Sequence, residues 1–457
     1  MKGFFRTVGA SLLCVILLVF ALWRYELLPD ASALTDWLKD LQGQGSSLQQ
    51  TPGNGSNENG TPSRPIETRP SEDGYLPTDE IEADLLEVIC TAYAEHRSSV
   101  DLSSFELTAD ELKAVVSGVR YASPQFFYVS NEYTFSSNRQ SGFVTELKPT
   151  YLVDKETAQQ QTVIYEQYVA DIVAGAPVNG SDFEKVLYLH DYFVKNYSYD
   201  YDYEIRDAYT FFQEKEGVCQ AYMLAFIATA DALGIRSVPV TSNAMNHAWN
   251  LVEVEGVWYH MDITWDDTGS YASMTSYAYF LQSDAGIQSY DEARTDDPAE
   301  IHHEWTAVYS ATDSRYDNAV WRGSVAPIVT LDGNYYCIVA VEAGAGGYLL
   351  GGEDPLTMSR ITKVDGMWKV RNTSSYYPGC YSGLAVLGDE LIYNTDKTMR
   401  AYNVKTGKDR LLGIPALRQT QSLYGVCYVN AEAGEMTVVV AEQLSDENAF
   451  ETVFIMP

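Results

Sequence analysis

Fifteen residues, Cys219-Gln-Ala-Tyr-Met-Leu-Ala-Phe-Ile-Ala-Thr-Ala-Asp-Ala-Leu233, run without Gly or Pro and are followed at once by Gly234. The pattern predicts a helix opened by Cys219 and stopped by the glycine, with Gly217 and Val218 leading in. At 3.6 residues per turn Cys219 shares a face with Tyr222, Met223, Phe226, Ala230 and Leu233, so that face points into the protein. A helix start carries unpaired N–H groups and the positive end of the dipole, which favour a thiolate over a thiol.

After Val238-Pro-Val240 and a polar loop, two alternating runs follow, His247 to Val254 and Val257 to Thr264, joined through Glu255-Gly256. This predicts a hairpin with a two-residue loop, which sets the register. Val254 then faces Val257, and counting back sets His247 opposite Thr264 with Asp262 as its diagonal neighbour on the same face. Such neighbours are about 7 to 8 Å apart at the backbone, within reach of an imidazole–carboxylate hydrogen bond. A loop of odd length would put the two on opposite faces.

Cys219, His247 and Asp262 thus fall within the 51 residues from Glu214 to Thr264. A thiol needs a neighbouring base to become a nucleophile, the base must later return a proton to the leaving group, and a carboxylate holds the ring. The expected roles are nucleophile, base and acid, and orienting carboxylate, with the Cys219 N–H as one oxyanion donor and Tyr199 as a candidate second. Taken singly, a cysteine at a helix start is more often a small buried residue, and a hairpin histidine more often packs. Three in register point to chemistry.

Gly217-Val-Cys219, Asn246-His-Ala-Trp-Asn250 and Trp258-Tyr-His-Met-Asp-Ile-Thr-Trp-Asp-Asp267 resemble the core of the transglutaminase-like superfamily, including its bacterial surface members, over roughly Ser181 to Asp267. The resemblance implies an α+β core similar to papain-like thiol proteases, with the nucleophile on a helix and the His and Asp on a sheet. It implies acyl transfer at a protein or peptide amide through a thioester. Hydrolysis is slightly favoured over amine transfer, which would make a protein cross-linker; a third reading is an inactive surface scaffold or binding protein. No cofactor is expected.

The remaining histidines read as structural. His260 lies on the Asp262 face opposite Leu251, and His190 sits on an apolar helical face capped by Ser181 and Glu184. His302 and His303 adjoin Glu304 without the helical His-Glu-x-x-His spacing, so no zinc site is expected. Asp200, Asp202 and Glu204 lack the glycine and spacing of a calcium-binding hand.

Lys2 and Arg6 precede an uncharged apolar run from Val8 to Trp23, which predicts a cytoplasmic tail over residues 1–7 and a single-pass signal anchor over 8–23. The Gly-, Ser- and Pro-rich stretch within 24–74 reads as a flexible linker holding the rest outside the membrane. An amino-terminal α/β subdomain is expected over 75–180, with a helix over Ile81–Ala94, a capping box at Thr108 to Glu111, strands over Gln125–Val129 and Gly142–Leu147, and a helix over Glu156–Ala174. The catalytic core follows over 181–313. From 314 to 457, Asp332-Gly333, Asp365-Gly366, Gly388-Asp389, Thr406-Gly407 and Ala433-Gly434 recur among alternating residues, predicting an all-β domain, a sandwich or an incomplete propeller-like stack.

With 30 basic against 63 acidic residues, the formal charge of −33 argues for solubility outside the cell and against nucleic acid or anionic lipid as a partner. Six cysteines do not make a disulfide framework: Cys337, Cys380 and Cys427 share the β domain, where one pair is possible and a third must stay free.

Overall fold

The computed structural model describes residues 80–456 apart from 268–274, 296, 298–299, 325, 343–345, 365–367, 370–379 and 442–449. The expected tail, anchor and linker lie outside the described residues, and no described helix is long and apolar enough to cross a membrane.

The amino-terminal region opens with α1 (Ala83–Ala94), β1 (Val100–Asp101) and α2 (Ala109–Ala122). Thr108 and Glu111 close the expected capping box at the start of α2. A strand over Gln125–Val129 is not formed: Pro124 opens a single 3-10 turn to Phe126, and β2 runs over Val129–Ser137 instead. Proline's preset φ suits the first position of such a turn and removes the ladder donor a strand would need. With β3 (Val144–Tyr151), these strands form an antiparallel sheet in the order β1-β3-β2. α3 (Lys155–Val173), capped by Asp154, leads into the core.

The core begins with α4 (Asp182–Asn196), whose Ser181 and Glu184 form a second capping box. β4 (Ser198–Tyr199) pairs in parallel with β5 (Glu216–Gly217), and α5 (Ala208–Glu214) lies between them in sequence. α6 (Cys219–Ala232) follows and ends before Gly234, whose φ of +73° is the left-handed conformation a helix stop requires. It is buried on nearly every side from Ala221 to Ile227. Four strands, β6 (Ser237–Ser242), β7 (His247–Val254), β8 (Val257–Met261) and β9 (Phe280–Gln282), make an antiparallel sheet in sequence order. Val254 pairs with Val257 as expected, and the positive φ of both Glu255 and Gly256 gives the tight hairpin turn.

The second hairpin strand is shorter than expected. It stops at Met261, and Asp262 caps a helical turn, α7 (Ile263–Asp266), by accepting the Trp265 N–H at 3.1 Å. Thr264 therefore lies in that turn and not opposite His247. Aspartate at the N-cap satisfies an otherwise unpaired helix donor, which the strand pairing could not do. α8 (Asp284–Glu292) completes the core region.

The carboxy-terminal region is strand-rich. β10 (Val329–Leu331), β11 (Asn334–Glu342), β12 (Gly346–Gly352) and β13 (Ser359–Val364) form one meander, and β16 (Leu384–Leu387), β17 (Glu390–Asn394), β18 (Met399–Asn403) and β19 (Lys408–Gly413) a second. Short β14 (Trp368–Lys369) and β15 (Cys380–Tyr381) pair between them, and β20 (Ser422–Asn430), β21 (Glu435–Ala441) and β22 (Phe450–Ile455) make a three-stranded sheet. Asp332-Gly333 and Gly388-Asp389 each sit in a two-residue hairpin loop, as their composition predicts. Ile338, Leu349, Leu391 and Tyr393 share a core between the first two sheets, and Met399, Leu423, Met436 and Val438 one between the second and third. Cys337 on β11 is a free, buried cysteine, its thiol pushed up to about 12 by burial.

Candidate functional site

α6, β7 and the end of β8 converge on Cys219, His247 and Asp262. The approach of α5 and α6 requires Gly217, because a Cβ there would stand 2.5 Å from Phe211 Cδ2 and 2.8 Å from Ala221 Cβ. α6 is tied to β7 by Asn250, whose buried amide donates to the Met223 carbonyl and to Ser237 Oγ, both at 3.2 Å. Tyr222, on the same helix, donates to Asp267 Oδ2 at 2.5 Å. The nucleophile helix is therefore pinned both to the strand that carries the histidine and to the segment that follows Asp262.

His247 Nε2 lies 2.5 Å from Asp262 Oδ2, with side-chain exposures of 8% and 0%. The thiol of Cys219 neighbours the same imidazole and the Ala248 N–H, both of which favour its ionised form. With Nε2 committed to the carboxylate, Nδ1 is the nitrogen left for the sulfur. Trp249 and Trp265 stack on the imidazole at centroid distances of 5.4 and 5.3 Å, which limits its rotation.

Burial alone would push the Cys219 thiol up; the hydrogen bond and charge of His247, together with the Ala248 N–H, outweigh it and hold the thiol below the ordinary range. For His247 burial works downward, but Asp262 first and Cys219 second push it up to about 10. Burial would likewise raise Asp262, yet His247 and His302 hold its carboxyl well below the usual carboxylate range. All three directions favour a thiolate–imidazolium pair beside an ionised carboxylate, the state that thiol nucleophiles use.

Tyr199 is placed by the β4–β5 pairing opposite Gly217, two residues before the cysteine. Burial and the neighbouring Cys219 push its phenol up to about 12, so it stays a hydrogen-bond donor. Asp200 accepts the N–H groups of Asp202, Glu204 and Ile205 at 2.8, 2.7 and 2.8 Å, so the acidic cluster organises its own loop, with Tyr201 exposed on it. Next to the cysteine, Gln220 lines a cleft of about 360 Å³ whose other wall includes Arg120, Phe126 and Glu132 of the amino-terminal region.

His190 is buried in α4 between Asp191 and Asp266, at 3.1 and 3.2 Å, within the core. His260 pairs with Leu251 and bonds Trp249 and Asp284, as a structural neighbour would. His302 is different: its Nε2 reaches Asp262 Oδ2 at 3.1 Å and its Nδ1 reaches Asp291 Oδ2 at 2.7 Å. Its only mark in the sequence is the His302-His303 pair beside Glu304, whose spacing does not suit zinc. His247, Asp262 and His302 are the one group among the described residues whose ligand atoms cluster closely enough for a metal. The 2.5 Å separation of His247 Nε2 from Asp262 Oδ2 is that of a short hydrogen bond.

The model of the transglutaminase-like superfamily matches residues 166–263, which span Cys219, His247 and Asp262. Over those residues the chain is similar to the transglutaminase-like superfamily. A solved structure of a TGase is 15% identical with a TM-score of 0.20, covering 29% of this chain and 44% of that one. A quinonprotein alcohol dehydrogenase-like protein from Bacteroides thetaiotaomicron VPI-5482 is 17% identical with a TM-score of 0.20, covering 27% of this chain and 29% of that one. A proline–tRNA ligase from Acidiphilium cryptum (strain JF-5) is 28% identical over 124 residues, so the chain spans about a quarter of that relative, 26% of each protein. The transglutaminase-like domain ends just past Asp262, and His302 lies beyond it.

Proposed function

We propose that the chain is an extracytoplasmic, membrane-anchored thiol enzyme that acts on protein or peptide amides through Cys219, His247 and Asp262, with hydrolysis favoured over amine transfer. The observation that supports this reading is the 2.5 Å contact of His247 with buried Asp262, together with a Cys219 sulfur at a helix start whose thiol is lowered by the neighbouring His247. The thiolate attacks the amide carbon, and the oxyanion is met by the Cys219 N–H and the Tyr199 hydroxyl. The His247 imidazolium gives its proton to the departing amine as the C–N bond breaks, leaving a thioester. Water then attacks the thioester with His247 as base, releasing the acid and restoring the thiol; an amine in place of water would give a new amide. Hydrolysis is the outcome wherever water reaches the thioester before an amine does.

Two measurements test this. Iodoacetamide labelling of the full chain, followed at the Cys219 peptide across pH, is expected to begin well below the range of an ordinary thiol and to lose that advantage in His247→Ala; an ordinary titration would argue for the scaffold reading. Incubation with a casein-like protein, with and without a primary amine, is expected to yield fragments. Amine adducts in their place would turn the reading to cross-linking.

A further inference from the structure

The carboxylate that holds His247 is itself held. Asp262 Oδ2 takes two imidazoles, His247 Nε2 at 2.5 Å and His302 Nε2 at 3.1 Å, while Oδ1 takes the Trp265 N–H. His302 is fully buried and boxed by Trp265, Trp249 and Tyr279 at centroid distances of 4.3, 4.9 and 5.1 Å. Its far nitrogen meets Asp291 on α8, which also accepts the His302 backbone N–H at 2.9 Å and the Tyr279 hydroxyl at 2.7 Å. Arg294 in turn donates to the Tyr279 oxygen at 2.8 Å. None of these groups faces solvent to a degree that packing would explain more simply, since an apolar side chain would fill the same box without two buried carboxylates to satisfy.

We infer that His302, oriented by Asp291, is a positioning residue that donates from Nε2 to Asp262 and keeps Oδ2 in line with the His247 ring. Carboxylates only accept, so a ring that meets Asp291 through Nδ1 and Asp262 through Nε2 carries a proton on both nitrogens, and Asp291 fixes the plane from which Nε2 donates. Without that donor only the Trp265 N–H and His247 itself fix the Asp262 carboxylate, the imidazolium loses part of its alignment, and less Cys219 is held as thiolate. The inference rests on the thiol-enzyme reading above.

The test separates donor from filler. A glutamine can place its amide near the Nε2 position, whereas an asparagine reaches only the Nδ1 position. Iodoacetamide labelling of Cys219 across pH is measured in the full chain for wild type, His302→Gln, His302→Asn, Asp291→Asn and His247→Ala, with thermal melts alongside. Labelling at pH 6 is expected to fall about tenfold in His302→Asn, a shift of about one pKa unit, to fall less in Asp291→Asn, and to stay within about threefold of wild type in His302→Gln. The glutamine and asparagine variants behaving alike, or both titrating as wild type while His247→Ala shifts, overturns this inference alone. A wild-type thiol that titrates ordinarily, or is indifferent to His247→Ala, overturns the proposed function and this inference with it. Should His302→Asn melt below the assay temperature, Asp291→Asn decides by the same profile.

Discussion

His247 and Asp262 move in opposite directions on folding, and the signs give a testable window. His247, raised to about 10, contributes stability that is complete below its unfolded value of about 6.5 and is lost as pH rises through the folded value. Asp262, lowered, contributes stability present above about 3.9 and lost as pH falls through its depressed value. The pair therefore stabilises most between about pH 4 and 6.5, and the melting temperature of the wild type is expected to decline from there toward pH 10 more steeply than that of Asp262→Asn, as read by calorimetry. Tyr199→Phe removes a donor without changing shape. It is expected to lower kcat on a peptide substrate about ten- to a hundredfold with little change in KM, because an oxyanion bond strengthens only in the transition state.

One close approach of backbone decides where the cysteine stands. Gly217 lets Phe211 and Ala221 close over the backbone just before α6, and Gly217→Ala is expected to cost about 1–3 kcal/mol by forcing those contacts apart. Denaturant unfolding would show a lower midpoint at unchanged m, and Cys219 labelling would lose its low-pH component because the helix start shifts. At the start of α4, Ser181→Ala breaks a capping box that satisfies two backbone donors, for an expected loss of about 1 kcal/mol with labelling unchanged. The contrast between the two variants distinguishes loss of stability from loss of position. Loops at Glu255-Gly256, Asp332-Gly333 and Gly388-Asp389 show that turn chemistry survives into the folded chain wherever two residues alone must reverse it.

Across the core and the first carboxy-terminal sheet, apolar packing is continuous. Phe183 of α4 meets Tyr335 of β11 at 5.6 Å and Trp321 at 6.2 Å, and Trp321, Cys337 and Leu350 belong to the same buried cluster as Tyr222 and Phe226 of α6. Partly buried Arg322 donates to the carbonyls of Tyr277, Ala278, Phe280 and Tyr316 at 3.0, 2.9, 3.2 and 2.7 Å, closing the backbone around β9. A fragment of residues 80–313 takes Tyr316, Trp321 and Tyr335 away from Phe183 and leaves the Tyr277, Ala278 and Phe280 carbonyls without Arg322. It is expected to bind a hydrophobic dye and to show no cooperative melt, whereas residues 80–457 melt as a unit. The first carboxy-terminal sheet thus packs into the same buried cluster as the site's helix.

Residues close in the chain reported themselves. The cysteine at the head of α6, the glycine that ends it, both capping boxes and the Val254–Val257 hairpin register are short-range matters of dihedral preference, hydrogen-bond valence and periodicity, and all were legible in order. The meeting of His247 with Asp262 was legible too, although by a different path: β8 ends at Met261, and an N-cap rather than a strand position turns the carboxylate toward the ring. An Asp followed by a short polar-flanked turn could have signalled that cap. His302, Asp291 and Asn250 carried no local signal, because their partners stand 40, 11 and 27 positions away and are chosen by which buried donors and acceptors packing leaves to be paired. Chain-local physics wrote the elements and the thiol at a helix start; the burial that turns three side chains into a proton-sharing series, and adds a fourth behind them, exists only once the helix, sheet and α8 loop exclude water together.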